Sequence, residues 1–423
     1  MKKKQNRLVW ITVTMHVLLF MLVITACKKK GNPEPSPRPV VTLIAEVTIS
    51  ANQTYQTIDG FGCATVFRPS NASLTNDELD RLFGKANGQI GLNILRIRIA
   101  EDDYWRSLEL ANAKGAIQRG ALVLATPWSP PSKFKTNKTL IGGSLIADSG
   151  AAYATYLNGF ANYMSANGAP VYAVSVQNEP DIKVSYESCD WTAAEMLNFL
   201  KTHGHLISST KLMAPESFNN NQTYSNTLLS DAGAAANIDL IGGHIYGSGI
   251  TENALAKTLN KPVWMTEHLD TNYTHFASIG TAAEIHDCFT KANFSAYIWW
   301  YGKRFYGPIG EDGTVTKRGY IMSQFARFIT PGSVRLGTGG NTQAEARVSA
   351  YRTSAGKRII VVVNSYAAIV KQTINISNAT VGDFIPYSTT ETTNVAAGTK
   401  ITATNNSFTY NLQPLSVTTF VEQ

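Results

Sequence analysis

The stretch Val174-Ser-Val-Gln-Asn-Glu-Pro-Asp181 decides the fold. The apolar run Val171–Val176 reads as a buried strand. It ends in Gln177, Asn178 and Glu179, and Pro180 then stops the pairing because proline has no N–H to give to a ladder. A carboxylate and an amide are thereby left at the C-terminal tip of a buried strand, the place where barrels of parallel strands put their chemistry. A glutamate capping an ordinary strand-to-helix loop would account for this tripeptide alone. A second tip of the same kind, Val263-Trp-Met-Thr-Glu267-His268, speaks against that reading.

Outward from these tips, apolar strand patterns alternate with helical ones. The strands are expected near Ile58–Gly62, Ile94–Ile99, Leu122–Ala125, Val171–Val176, Lys211–Ala214, Ile238–His244, Val263–Thr266 and Tyr297–Trp300. The helices are expected at Asp77–Phe83, Trp105–Gln118, Ala151–Ala166, Ala193–Ser208, Thr223–Leu229, Ala254–Leu259, Ala282–Ala292 and Ile321–Phe328. Thr75…Glu78, Thr192…Glu195 and Thr281…Glu284 have the spacing of capping boxes, in which hydroxyl and carboxylate satisfy free N–H groups reciprocally. Eight such units predict an α/β fold, a (β/α)8 TIM barrel over residues 58–330. A doubly wound open sheet is the alternative, but no glycine-rich nucleotide turn follows the first strand.

After Pro331 the pattern changes to short strands between Gly, Asn, Ser and Thr turns: Val348–Arg352, Arg358–Val363, Lys371–Ile376, Lys400–Ala403 and Ser416–Val421. This spacing predicts a β-sandwich over 331–423. The β-branched, alternating Val40–Ile49 has no place in the barrel, so residues 40–57 are expected to join the sandwich, which both chain ends then build.

The first residues read as a targeting segment. Lys2, Lys3, Lys4 and Arg7 precede a mostly apolar run, Leu8–Ile24, and Ile24-Thr-Ala-Cys27 resembles the bacterial lipoprotein signal. Residues 1–26 are thus expected to be a signal peptide, with Cys27 acylated after cleavage and 27–39 a Pro-rich flexible linker. A transmembrane anchor is the alternative. The expected location is the bacterial cell envelope, at the outer membrane or cell surface, with the protein held to the membrane by its lipid.

The formal charge of +7 comes from this segment, because seven of the 37 basic residues and no acid lie in the first 30 positions. The remaining 30 basic residues match 30 acidic ones, so no basic face supports nucleic-acid binding. Cys63, Cys189 and Cys288 are odd in number and widely spaced; one bridge or buried free thiols both fit, and no metal pattern follows. No cofactor and no metal are expected in the chemistry, and a monomer is expected.

Glu179 at the fourth strand tip and Glu267 at the seventh face each other across the mouth of an eight-stranded barrel. Two carboxylates roughly 5–5.5 Å apart can flank a scissile glycosidic bond, one attacking and the other donating a proton. A structural ion pair would explain either glutamate alone. Asn178, beside Glu179, suits a sugar hydroxyl or a turn. Trp105, Trp128, Trp299, Trp300, Tyr301 and Tyr306 lie at strand tips, where aromatic faces suit sugar rings, although core packing would use the same residues. Arg96 is a candidate partner for a catalytic carboxylate or a buried structural arginine. His244 and Tyr246, at the sixth tip, are candidates to line the site.

Together these motifs resemble glycoside hydrolase family 30, and most of all the bacterial glucuronoxylan-cleaving endoxylanases of its subfamily 8. The resemblance runs from Ile58-Asp-Gly-Phe-Gly62 to Ser416-Val-Thr-Thr-Phe-Val421. It rests on Leu95-Arg-Ile-Arg98, Pro127-Trp-Ser-Pro-Pro131, Ser175-Val-Gln-Asn-Glu-Pro-Asp181, Ala214-Pro-Glu-Ser217, Trp264-Met-Thr-Glu267, Tyr297-Ile-Trp-Trp-Tyr301 and Lys317-Arg-Gly-Tyr320. It implies a retaining endo-β-1,4-xylanase with Glu179 as acid/base and Glu267 as nucleophile. The implied substrate is xylan bearing glucuronic acid branches. The family's branch-binding Arg lies in a W-W-Y-x-R-R-x-Y pattern. Here Trp299-Trp-Tyr-Gly-Lys-Arg-Phe-Tyr306 keeps Arg304 and Tyr306 and has Lys303 at the first basic position. The loop His268-Leu-Asp-Thr-Asn-Tyr273 departs from the family pattern, which bears on the branch requirement and not on hydrolysis. Activity on unbranched xylan or another β-linked glycan is a second reading. A lipid-anchored glycan-binding protein without catalysis is a third, and the presence of both glutamates counts against it.

Overall fold

A computed structural model of the chain describes residues 41–66 and 73–423. The expected signal peptide, Cys27 and linker lie outside the described residues. No helix among the described residues is long and apolar enough to cross a membrane.

The chain enters through a long strand, β1 (Thr42–Thr57), and then builds the barrel. The barrel strands are β2 (Gly60–Ala64), β3 (Ile94–Ile99), β4 (Leu122–Pro127), β5 (Ala173–Ser175), β6 (Lys211–Ser217), β7 (Leu240–His244), β8 (Val263–Glu267) and β9 (Ala296–Tyr301). All eight are parallel and close in sequence order, β9 pairing back onto β2. The helices are α1 (Asn76–Phe83), α2 (Asp103–Ile117), α3 (Gly150–Ala166), α4 (Ala193–His203), α5 (Gln222–Leu229), α6 (Ala232–Asn237), α7 (Ala254–Thr258), α8 (His275–Thr290) and α9 (Lys317–Ala326).

Period-two alternation divides each barrel strand between two cores. Ile94, Leu124, Ala173, Met213, Leu240, Trp264, Ala296 and Ile298 fill the interior. The intervening Leu95, Ile97, Val123, Val174, Leu212, Ile241 and Met265 meet the helices. Both faces are covered, which is why these strands read as continuous apolar runs. Gly242 on β7 is required by space: a Cβ there would lie 2.6 Å from Cγ of Glu216, so the glycine makes room inside the ring for that side chain.

Beyond the barrel come β10 (Val334–Gly339), β11 (Ala346–Arg352), β12 (Arg358–Asn364), β13 (Ile369–Ser377), β14 (Phe384–Thr389), β15 (Ala396–Ala397), β16 (Ser407–Leu412) and β17 (Ser416–Glu422). With β1 they form one mixed sheet in the order β15-β14-β17-β12-β11-β10-β1-β13-β16. β1 runs parallel to β13 and antiparallel to β10, so both chain ends build the side domain. The sheet folds back on itself as a sandwich: Phe408 of β16 packs on Phe384 of β14 and Phe420 of β17, with ring centroids 4.9 and 5.2 Å apart.

Several local expectations are corrected. Thr281…Glu284 is not a capping box. Helix α8 starts at His275, capped by the Thr274 hydroxyl, which accepts from Ala277 N. Thr281 therefore lies inside the helix, and its Oγ1 accepts from Arg318 Nε instead. The other two boxes form with both reciprocal bonds. Lys400–Ala403 is not a strand; Ile401 makes a single bridge to Phe384. Strands β10, β14 and β16 were not expected, and Gly337 and Pro386 within two of them interrupt the local pattern that would have announced them. Helix α6 was also unexpected, α9 begins four residues earlier than its pattern, and α4 ends at His203 in a short 3-10 turn. Cys63, Cys189 and Cys288 are buried and form no disulfide among the described residues.

Candidate active site

The C-terminal tips of β3, β4, β5, β6, β7 and β8 converge on one polar cluster. Glu179 and Glu267 are 4% and 6% exposed, buried beside Arg96, Glu216 and His244. An oxygen of Glu179, one of Glu267 and a ring nitrogen of His244 all lie within 4.8 Å of one another. That separation matches the short spacing of retaining glycosidases rather than the 6.5–9.5 Å of inverting ones.

Backbone geometry fixes the tips. Glu179 has φ 47° and Glu216 φ 57°, both in the left-handed region that residues with a Cβ seldom occupy. They are held there by each other: Glu179 N donates to Glu216 O at 3.0 Å, and Asn178 N donates to Pro127 O at 2.9 Å. Such strain, of order 1–3 kcal/mol per residue, persists where surrounding contacts over-determine it.

Around the two carboxylates the bonds are directional. Arg96 Nη1 donates to Glu267 Oε2 at 2.6 Å, and Tyr246 OH donates to Glu267 Oε1 at 2.9 Å. The other arm of Arg96, Nη2, donates to Asn178 Oδ1 at 2.7 Å and lies 3.1 Å from Glu216 Oε1. Glu179 Oε1 is 2.9 Å from His244 Nδ1, and Tyr186 OH donates to Glu179 Oε2 at 2.6 Å. Thr126 Oγ1 donates to Glu216 Oε2 at 3.0 Å. Trp128 lies under the Arg96 guanidinium, 4.6 Å from carbon to ring centre, and tilts against Trp300 at 5.7 Å.

Three buried carboxylates and two buried cations share this cluster. Burial raises the Glu216 carboxyl, but the Arg96 charge and His244 outweigh it and hold it near pH 2. Burial opposes charge on His244, yet Glu267, Glu179 and Glu216 together push its pKa up to about 9, so it carries a proton at neutral pH. For Glu267, burial is the largest influence and raises it, with Glu179 acting the same way and His244 and Arg96 opposing. For Glu179, burial also raises, but the bonds from His244 and Tyr186 and the Arg96 charge prevail and hold it low. With Glu216, Arg96 and His244 ionised, one proton on the Glu179–Glu267 pair makes the whole cluster neutral. The two carboxyls titrate as a unit, and in the empty cleft Glu267 is the one whose charge burial disfavours, while Glu179 is held low.

Glu179, His244 and Glu267 are also the one group among the described residues placed to hold a metal ion. Their donors are already engaged with protein groups: Arg96 bonds Glu267 Oε2, and His244 Nδ1 faces Glu179 Oε1 at 2.9 Å.

Of the residues singled out from sequence, Glu179, Glu267, Asn178, Tyr246, Trp128 and Trp300 come together here. Arg304 stands further out, its guanidinium 5.9 Å from the centre of the Tyr301 ring, which in turn lies 4.7 Å from Trp300, and Tyr306 is buried beside it in the same loop. Trp105 packs beside the β3 tip, its ring 4.9 Å from the Arg98 guanidinium, which pairs with Glu187. Trp299 is core, facing α9 with the Arg318 guanidinium 4.5 Å from its ring centre. Sequence reasoning missed Glu216 and Tyr186. Glu216 carried a findable signal, a third glutamate at a buried strand tip; Tyr186 sits in an irregular loop and carried none.

Comparison with known proteins agrees with this geometry. Residues 72–271 match the model of the glycosyl hydrolase family 30 TIM-barrel domain. The chain is 36% identical to glucuronoxylanase XynC of Bacillus subtilis (strain 168) over 396 residues, 90% of this chain and 92% of that protein. Among solved structures it is similar to the family 30 subfamily 8 xylanase Xyn30A of Clostridium acetobutylicum, at 38% identity and a TM-score of 0.85, covering 89% of this chain and 99% of that one. A family 30 endoxylanase from Clostridium papyrosolvens C71 follows at 35% and 0.81, with 89% and 100% covered. A TIM barrel, two carboxylates at retaining distance and relatives matched over nine-tenths of the chain lead to one assignment: the chain belongs to glycoside hydrolase family 30.

Proposed function

We propose that this enzyme is a retaining endo-β-1,4-xylanase acting on glucuronate-substituted xylan, with Glu179 as acid/base and Glu267 as nucleophile. The single observation that carries the reading is the pair of carboxylate oxygens within 4.8 Å at two facing strand tips. In the first step Glu267 attacks the anomeric carbon while Glu179 gives its proton to the leaving glycosidic oxygen. In the second, water attacks the glycosyl–enzyme ester, Glu179 takes its proton and Glu267 leaves. The mechanism needs Glu267 ionised and the proton on Glu179, and positive charge developing at the anomeric carbon in the transition state stabilises that arrangement. Arg96 and Tyr246 orient the nucleophile. Because Arg96 engages Asn178 Oδ1, Asn178 turns its NH2 toward a sugar hydroxyl. Trp128 and Trp300 wall the subsite. Arg304 supplies the guanidinium for the branch carboxylate, which a planar fork grips with two bonds.

Azide separates the two glutamate roles. In Glu267→Gly, azide should enter from the vacated face and give the α-glycosyl azide; in Glu179→Gly it should intercept the ester and give the β-azide. Swapped anomers would reverse the assignment, and the same anomer from both variants would abolish it. For the branch, Arg304→Ala should lower kcat/KM on glucuronoxylan at least tenfold, about 1.4 kcal/mol, with little change on debranched xylan. Product masses from glucuronoxylan should place the branch at one fixed position from each cut.

The anchor belongs to the same reading: Ile24-Thr-Ala-Cys27 after an apolar run supports an acylated Cys27 and a place on the cell envelope. Incorporation of labelled fatty acid, lost in Cys27→Ala, tests it. A monomer, the remaining expectation, is tested by sedimentation.

A further inference from the structure

We propose that Glu311 is a specificity-determining residue: its carboxylate occupies the Arg304 guanidinium in the open enzyme and is exchanged for the carboxylate of the substrate's acidic branch. The inference rests on the branch reading of Arg304 given above.

Arg304 Nη1 donates to Glu311 Oε1 at 3.1 Å. Both partners reach solvent, with side chains 31% and 55% exposed, so this is a weak surface pair that another carboxylate can replace at small cost. The neighbouring cation has a different task. Lys303 pairs with Glu78 under α1, where that glutamate also closes a capping box, and both side chains are largely covered. Of the two adjacent cations, Arg304 is thus the one whose carboxylate partner is exposed and exchangeable.

Glu311 is presented by a pinned turn. Gly310 N donates to Thr314 O at 2.8 Å and Gly313 N to Gly310 O at 2.9 Å. Asp312 Oδ1 accepts from Thr314 N at 2.9 Å, and Arg81 Nη1 donates to Gly313 O at 2.7 Å. The backbone therefore stays in place while the side chain alone turns away. A carboxylate fixed beside the branch-binding cation acts as an internal stand-in for substrate. It keeps the guanidinium paired when the cleft is open, and it selects for branches acidic enough to displace it.

Kinetics of Glu311→Gln, Arg304→Ala and the double variant on glucuronoxylan and on debranched xylan test this. Glu311→Gln should lower KM for glucuronoxylan two- to fivefold at low ionic strength with kcat unchanged. The gain should vanish at high salt, where exposed charges are screened. Rates on debranched xylan should not move, which also reports intact folding. In the Arg304→Ala background the Glu311 change should be silent. If Arg304→Ala impairs glucuronoxylan cleavage but Glu311→Gln leaves KM equal or raises it, Glu311 only positions Arg304; the proposal fails and the branch reading stands. If Arg304→Ala cleaves glucuronoxylan at the parental rate, the branch reading falls and this proposal falls with it.

Discussion

Arg96 bonds groups from three other strand tips at once, Thr126, Asn178 and Glu267, and neutralises Glu216 as well. Its role depends on His244, the second buried cation, which keeps the carboxylates from repelling one another. That dependence has a sign. The folded pKa of His244, about 9, lies above its ordinary 6.5, so its stabilisation is complete below pH 6.5 and is lost as pH rises through 9. Glu216, at about 2 against an ordinary 4.5, stabilises above pH 4.5 and loses that contribution as pH falls through 2. These two groups make unfolding free energy fall above about pH 6.5 and below about pH 4.5, and buried His286, held down to about 4, adds its own loss as pH falls from 6.5. The alkaline fall reaches on the order of 3 kcal/mol at most. Denaturant titrations across pH test this, and His244→Asn should lose the alkaline slope. An unchanged slope in that variant would show that the cluster holds no imidazolium.

At the scale of elements, the site is a matter of which strand yields space to which. β6 carries Glu216 one residue before its end, and β7 carries Gly242 against it. Gly242→Ala would bring a Cβ within 2.6 Å of Glu216 Cγ and also against Met213 Sδ. Overpacking of this kind costs roughly 1–3 kcal/mol. Displacing Glu216 should also loosen Arg96, so kcat/KM should fall at least tenfold in a protein that still melts cooperatively. Parental kinetics would mean that β6 shifts without consequence. Helix α9 acts similarly on the rim. From its first turn Arg318 donates to the backbone oxygens of Asp270, Asn272 and Tyr306, tying the loop after β8 to the loop after β9. Within the sequence motif Lys317-Arg-Gly-Tyr320, Arg318 thus braces the rim.

For the whole molecule, β12 joins the two domains. Ile359, Val361 and Val363 belong to the core shared with the barrel helices, while Ile360 and Val362 belong to the sandwich core. Tyr351 and Val417 extend the barrel-facing side. Five apolar side chains at about 1.5–3 kcal/mol each give on the order of 10 kcal/mol, comparable to the stability of a whole domain. Thr419 of β17 adds a hydroxyl bond to Gln324 on α9 at 2.6 Å. A chain ending at Thr330 should therefore fail to give soluble, cooperatively folding protein, as judged by soluble yield and thermal melting. A soluble, active barrel from that truncation would show the sheet to be an accessory.

The sequence by itself determined the eight alternating units, the two glutamates at their strand tips, the return of the first strand to the last domain and two of the three capping boxes. These are local facts: a period of two, a polar stop after an apolar run, a hydroxyl three residues before a carboxylate. Where the same local pattern had another use it misled, as at Thr281, whose hydroxyl serves Arg318 instead of a helix start. Where glycine or proline interrupted the pattern, as in β10 and β14, it fell silent. Only the tertiary structure decided that Arg96, Tyr186, Glu216 and His244 act on the same carboxylate pair. Those residues come from different strands and one irregular loop, and closure of the ring alone brings them within hydrogen-bonding reach.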